Sequence, residues 1–522
     1  MDRIAAVASS RAVARPLLLA ALVALGGCGD SPDAGPAGAR PDVLLISIDT
    51  LRPDHLGCYG YAPYARPVSP AIDALAAEGQ LFERCFAPRG QTGPSLCSML
   101  TGLYPSSHGI LDNNEGLREE GSDLVDDFGA LGYEVHGFVS LLPVKKSSKQ
   151  QLAFARFAPG RGSWFDAKEA APQMRQVECD DAVEAAYLAR LARRRGSDRP
   201  SFTWLHFYDV HQPYAPPAEF HDAFAGDYRG PLRLDPAPSG AAFNAVVKRH
   251  LDQKMVAREP LEPADARYVT ALYDGGIAAA DARIARIVDA LRQSGRLERT
   301  LICITADHGE ELGEHNGFWF HGNSLYDAVL RIPLIVRGPG VAKGRSDALL
   351  QNLDLLPTLL ELVGGKAPAG IDGVSFAELV RGGRPTAPPR DIAWAEFEDV
   401  ILAARTREWK LIRNPRGARP KLPPYHAPDD AGYFIDCKEL YDLLDDPREQ
   451  RNVWRQKSGA VEELRRTAED EQERRFAQLE RGAVDPVDEA ERRELESLGY
   501  TAPSADGARS QNYRLDPAAC DE

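Results

Sequence analysis

The amino-acid sequence predicts an α/β fold, a large sheet between layers of helices followed by a shorter strand-rich segment. Three observations lead there. Helical and strand patterns alternate through residues 42 to 395. At 522 residues and 43% hydrophobic content, the chain is long enough to bury one large core and carry an appendage. Two apolar runs of strand length, Val43 to Ile48 and Leu301 to Ala306, each stop at an acid, as buried strands do where α/β proteins keep their sites. The net charge of −15 argues against a nucleic-acid partner.

At the N-terminus, Arg3, Arg11 and Arg15 precede PLLLAALVALGG, an apolar stretch too short for a comfortable membrane span, so residues 1–27 read as a signal peptide. Its end, Leu25-Gly26-Gly27-Cys28, resembles the bacterial lipobox. That implies cleavage before Cys28 and lipid on its thiol, which anchors the mature protein to a membrane of the cell envelope, on the periplasmic side or at the cell surface. A plain secretory signal with an incidental cysteine is the alternative. Residues 28–41 then form a flexible tether. The seven later cysteines are spread too thinly for a disulfide scaffold, and Cys303, inside an apolar strand, is expected to be simply buried.

The first acid-terminated strand runs into Asp49-Thr50 and the second into Asp307-His308-Gly309. Side by side in a parallel sheet they aim Asp49, Asp307 and His308 at one divalent cation; a strand-end turn is the other reading of Asp307-His308. Between them, residues 91–109, QTGPSLCSMLTGLYPSSHG, put Thr92 about where a helix N-cap sits, with Pro94 in the first turn. Thr92 is either that cap or a hydroxyl at the positive end of a helix, where an anion is well received. His211 follows the apolar WLHF strand and precedes a proline-rich loop, the kind of place where function is displayed. A histidine bonded to a backbone carbonyl is its rival reading. Asp209 beside it is a lesser candidate. His321, after the aromatic FWF, faces a site or merely packs, with Gly322 turning the chain. His55, His108, His136 and His315 read as structural or loop histidines, His315 being the one expected nearest the pocket.

Residues 265–297 have helix periodicity leading into the Asp307 strand, with Tyr273 and Asp274 assigned to packing and capping. Segments 140–175 and 215–263 read as insertions on the substrate side. DALLQNLDLLPTLLELVGG, residues 347–365, has the spacing of a helix that closes the domain. AWAEFE, VILAART and WKLIRN read as strands. Residues 457–497 are dense in Glu and Arg at i, i+4 and read as an exposed helix with a solvated face, LESLGY as its docking end, and a disordered tail beyond.

IDTLRPDHLGCYGY, PSLCSMLTGLYPSSHG, HFYDVHQPYAPP, ITADHGEELGEH and RIPLIVRGPG occur in the order seen in the sulfatase family of the alkaline phosphatase superfamily, and the match covers most of residues 42 to 455. The resemblance implies an alkaline-phosphatase-like large mixed sheet sandwiched by helices in a catalytic domain at 42–395. It further implies a small C-terminal antiparallel subdomain at 396–456, with the charged helix and tail at 457–522.

The chain departs from that family's pattern at three places. The family nucleophile is a cysteine in CxPSR, oxidised to formylglycine, whereas TGPSL places Thr92 there and Leu96 where the arginine belongs; Cys97 comes five residues late. After GYEV, the run Phe138-Val139-Ser140-Leu141-Leu142 replaces GKWHLG, whose lysine and histidine hold sulfate. GFWFHG puts His321 where many sulfatases have lysine. The same changes resemble phosphoethanolamine transferases and lipoteichoic acid synthases, which use a metal-activated threonine and carry HG shortly after DHGE.

The expectation is therefore a hydrolase or transferase acting on a phosphate or sulfate ester of a small molecule, glycan or lipid, the phosphoester favoured. Thr92 is the nucleophile and a ligand, Asp49, Asp307 and His308 hold one divalent ion (calcium, zinc or manganese), and His211 and His321 grip non-bridging oxygens or the leaving group. The alternatives are a sulfatase that works without formylglycine and a non-catalytic, metal-binding surface lipoprotein.

Overall fold

A computed structural model of the chain describes residues 40–479, apart from 114–122, 141–162, 167–175, 195, 235–238, 258, 316–317, 421–435 and 478, together with 513–515 and 520. The signal peptide, the Cys28 motif, nearly all of the tether, most of the 140–175 insertion and the segment holding LESLGY lie outside the described residues. No helix among the described residues is long and apolar enough to cross a membrane.

The apolar runs assemble into one sheet. In chain order its strands are β1 (Asp42–Ile48), β2 (Gln80–Phe86), β3 (Glu134–Val139), β4 (Ser163–Asp166), β5 (Ser201–Phe207), β6 (Thr300–Thr305), β7 (Arg331–Arg337) and β8 (Gly344–Gln351). They lie side by side as β4-β3-β5-β1-β6-β7-β2-β8. All run parallel except β7, which is antiparallel to both of its neighbours. Every residue of β1, β5 and β6 is buried, because helices cover both faces and the strands read as unbroken apolar runs rather than alternating ones. The two acid-terminated strands are neighbours, paired in parallel from Asp42↔Thr300 to Ser47↔Thr305, so Asp49 and Asp307 leave the sheet together at its carboxyl edge.

The helix expected over 265–297 spans Pro263–Gln293, with proline in its first turn. Tyr273 and Asp274 do more than pack it. The Tyr273 hydroxyl donates to Thr50 O at 2.7 Å and accepts from Arg52 N at 3.0 Å. The buried Asp274 carboxylate is met by His55 Nδ1 at 2.6 Å and by the hydroxyls of Tyr61 and Tyr64, each at 2.7 Å. Asp274 is thus a buried acceptor mid-helix, not a cap.

The single helix expected from DALLQNLDLLPTLLELVGG is three elements: the end of β8, the 3-10 turn Asn352–Asp354 and a short helix. Residues through Gln351 end β8, a capping box between Gln351 and Asp354 reverses the chain, and the helix is only Leu355–Leu362. Periodicity alone does not separate a short apolar strand from a helix turn, and the capping residues decide it here.

Downstream, β9 (Ala393–Phe397), β10 (Ile401–Arg405), β11 (Trp409–Arg413) and β13 (Lys438–Asp442) form an antiparallel sheet in the order β13-β11-β10-β9, while the short β12 (Ala418–Pro420) pairs with β14 (Tyr513–Leu515). A disulfide joins Cys437 to Cys520. The charged helix, Glu462–Phe476, is not solvated all round: Ala468, Gln472 and Arg475 are buried, and Arg475 pairs with the buried Glu396 at 2.7 Å.

His315 belongs to the join between the two sheets, not to the pocket. Its Nδ1 meets Glu311 at 2.9 Å, its Nε2 lies 3.2 Å from the Glu449 carbonyl, and its ring stacks on Tyr326. Burial opposes its charge, but Glu311 and Glu449 outweigh this and push the imidazole up to about 9 from its ordinary 6.5. The folded protein therefore holds this proton more tightly than the unfolded chain, and the stability contributed is complete below the unfolded value and lost as pH rises through the folded one. Thermal melts of wild type and His315→Gln are expected to differ most below about pH 6.5 and to converge by about pH 10. A gap that widens with pH contradicts the assignment.

Candidate metal centre and nucleophile

Asp49 and Asp307 occupy equivalent places one step beyond β1 and β6, and His308 follows Asp307. All three are fully buried. Their ligand atoms lie within 4.8 Å of one another. Hydrogen bonding assigns one donor atom to each. Asp307 Oδ1 accepts from the amides of His308 at 2.8 Å and Thr50 at 3.3 Å, which leaves Oδ2. His308 Nδ1 lies 2.9 Å from the Gly309 carbonyl, so the proton sits there and Nε2 presents a lone pair. Asp49 Oδ2 faces Thr92 Oγ1, which leaves Oδ1.

The three remaining atoms converge, His308 Nε2 being 3.8 Å from Asp49 Oδ1 and 3.5 Å from Asp307 Oδ2. Among the described residues, Asp49 Oδ1 and Asp307 Oδ2 have no hydrogen-bond partner despite complete burial. Two such oxygens facing one another are costly without a cation, and burial followed by the Asp307 charge raises the Asp49 carboxyl well above its usual range. The donor set and its orphaned oxygens fit one divalent ion.

The backbone that aims these groups is constrained. Thr50 adopts φ +57°, the left-handed region that non-glycine residues rarely occupy, and the Tyr273 hydroxyl holds its carbonyl. At Gly309 a Cβ would come within 2.3 Å of the Ala328 carbonyl oxygen, so the residue after His308 has to be glycine.

Thr92 opens the helix Thr92–Thr101. Its N-cap is Gln91, without a side-chain capping bond, so Thr92 is the first helical residue and not the cap expected from sequence. Its Oγ1 lies 3.4 Å from Asp49 Oδ2 and 3.4 Å from His308 Nε2. The helix start is pinned from three sides: Ser95 Oγ donates to the Asp307 carbonyl at 2.6 Å, Asn352 Nδ2 donates to Ser95 Oγ at 2.8 Å, and Gly93 N donates to Asn113 Oδ1 at 2.7 Å. Cys97 is buried in the helix interior, where burial raises its thiol far above the ordinary value.

His211 and His321 stand beside this centre in a row of imidazoles. Ring centroids of His308 and His321 are 4.5 Å apart, and those of His321 and His211 are 4.8 Å apart. His211 Nδ1 bonds the Gln212 carbonyl, so the backbone bond posed as a rival reading exists and serves to orient the ring. His321 Nδ1 is 2.9 Å from Glu310 Oε1. Burial lowers both imidazoles well below the ordinary histidine range and pushes Glu310 up to about 8. Asp209 points away, paired with Arg283 at 2.9 Å.

Two groups at the site escaped the sequence reading. Glu310 was legible only as part of the DHGE run. His206 is buried in β5, one of few ionisable groups inside a strand of that kind, and its Nε2 lies 3.7 Å from Asp49 Oδ2. An imidazole within FTWLHFY was the available signal.

Comparison with known proteins gives the family of the chain. A model of the Sulfatase family matches residues 41–365, and a model described as N-sulphoglucosamine sulphohydrolase, C-terminal, matches residues 313–475. A multifunctional alkaline phosphatase superfamily protein of Trinickia caryophylli is 26% identical over 423 residues, spanning 69% of this chain and 81% of the relative. An arylsulfatase of Clostridium perfringens is 26% identical over 404 residues, spanning 69% of this chain and 80% of its own. The crystal structure of the phosphonate monoester hydrolase of Agrobacterium radiobacter superposes with a TM-score of 0.62 at 21% identity, covering 90% of this chain and 100% of that one. With its mixed sheet, its small antiparallel sheet and its paired strand-end acids in place, the chain belongs to the sulfatase family of the alkaline phosphatase superfamily and is a hydrolase of sulfuric or phosphoric esters.

Proposed function

We propose that the chain is a metal-dependent phosphoester hydrolase or phosphotransferase with Thr92 as its nucleophile. The observation that supports this most is the buried threonine hydroxyl lying 3.4 Å from both a carboxylate oxygen and an imidazole nitrogen of the metal-ligand cluster. Asp49, Asp307 and His308, with Thr92 as a further donor, would hold a calcium, zinc or manganese ion. Bound there, such an ion lowers the pKa of the hydroxyl and offsets charge on the transferred group. Thr92 Oγ1 loses its proton and forms a bond to phosphorus while the bond to the leaving oxygen breaks, and that oxygen takes up a proton as the free alcohol. Water or an acceptor alcohol then breaks the Oγ1–P bond and restores the hydroxyl. His211 and His321 face the oxygens of the transferred group or the leaving group.

A sulfate-ester reading is favoured by the family match and by the arylsulfatase relative. Against it stands the nucleophile position, where threonine cannot become the formylglycine aldehyde. Turnover of p-nitrophenyl phosphate, a phosphodiester, a phosphonate monoester and p-nitrophenyl sulfate separates the two. The best phosphorus ester is expected to exceed the sulfate in kcat/KM by on the order of a hundredfold. A sulfate ester turned over fastest overturns the preference, and no turnover of any substrate by the metal-loaded protein points to the non-catalytic binder.

The same reading assigns the enzyme to the bacterial cell envelope, tethered by lipid on Cys28 and acting on a small-molecule, glycan or lipid ester. The Cys437–Cys520 bridge supports an oxidising compartment.

A further inference from the structure

We infer that His206 is a positioning residue for the candidate metal ligand Asp49, its ring held by the hydrogen-bonded chain Trp204–Ser47–His206 with Nε2 3.7 Å from Asp49 Oδ2. This rests on the metal-centre reading above.

The hydrogen-bonded chain follows from strand register. Ser47 of β1 pairs with His206 of β5, and Trp204 lies two residues earlier, on the same face of the strand as His206. Trp204 Nε1 can only donate, and it donates to Ser47 Oγ at 2.8 Å. That hydroxyl has one proton of its own to give, and His206 Nδ1 lies 2.8 Å away as its acceptor. With Nδ1 accepting from that hydroxyl the ring proton belongs on Nε2, the tautomer that the inference assigns. His206 Nε2 is buried with no hydrogen-bond partner, and Asp49 Oδ2 is 3.7 Å from it.

Asp49 has two oxygens with different surroundings. Oδ1 faces His308 Nε2 and is unpartnered, while Oδ2 faces His206 and Thr92. A donor held on the Oδ2 side settles which oxygen is offered to a cation. The Trp204 indole and the β1–β5 pairing fix the donor itself, so little freedom is left to lose when an ion arrives.

The test measures metal affinity by competition with a chromophoric chelator, using manganese, zinc and calcium in turn, on the full mature chain. Melting temperatures are recorded with the ion and in EDTA. His206→Leu is expected to weaken affinity about 10- to 100-fold while leaving the melting temperature in EDTA near wild type. His206→Gln, which returns an N–H near Nε2, is expected to bind more tightly than His206→Asn, whose amide sits nearer Nδ1; this pair decides the matter if the leucine variant does not fold. Equal metal affinity in wild type and His206→Leu, or in the Gln and Asn variants, overturns the inference. So does a melting temperature in EDTA that falls as far as the metal-loaded one, since that marks a packing role. A wild-type protein that takes up none of the ions overturns the metal centre as well as the positioning role, which separates the two failures.

Discussion

Thr92→Ala is expected to lower kcat for the best ester by on the order of a thousandfold or more, while the protein still binds its ion. Removing Oγ1 deletes the atom that attacks, yet Asp49 Oδ1, Asp307 Oδ2 and His308 Nε2 keep their convergence. Thr92→Ser retains the hydroxyl and is expected to stay within about tenfold of wild type. A helix-capping role predicts a different result, a stability loss of about 1 kcal/mol with turnover intact. The geometry already disfavours that role, because Gln91 and not Thr92 is the N-cap. A rapid quench with substrate, followed by mass analysis of the peptide from Gln91 to Arg118, should find a transferred group on Thr92. Unchanged turnover in Thr92→Ala removes the nucleophile from the scheme.

The second large effect is on the ion. Asp307→Ala and Asp49→Ala are each expected to lose bound metal and activity together, with affinity down by a hundredfold or more on the order-of-magnitude scale of lost carboxylate ligands. Stability should move the other way. Without an ion the wild type buries two facing, unpartnered carboxylate oxygens, so Asp49→Asn in EDTA is expected to melt at or above the wild-type temperature. Adding manganese or zinc should raise the wild-type melting temperature and leave that of the variant unmoved. Retained metal stoichiometry in Asp307→Ala contradicts the centre, and a large destabilisation of Asp49→Asn in EDTA contradicts its electrostatics.

The candidate metal ligands are legible from the chain because each lies where a chemically plain signal stops. An unbroken apolar run announces a strand buried on both faces, and an acid at its end has no reason to be there unless the sheet edge uses it. Elements beside the site were harder. DALLQ reads as part of a helix because its three apolar residues satisfy either period, and only the Gln351–Asp354 capping box separates strand from helix. The charged run at 457–497 reads as solvated because its pattern shows i, i+4 pairs, while the docking of Arg475 on Glu396 depends on a partner some eighty residues away.

The linear chain suffices for the α/β class, for Asp49, Asp307 and His308 as candidate donors at strand ends, and for Thr92 as a hydroxyl at a helix start, since each is marked by local periodicity or by a residue at a break in it. Which carboxylate oxygen faces the ion, which imidazole nitrogen carries the proton, that His315 turns to the C-terminal sheet and that His206 stands behind Asp49 were settled only by folding. Those features are contacts between residues tens to hundreds of positions apart, and hydrogen-bond direction between such partners leaves no periodic trace along the sequence.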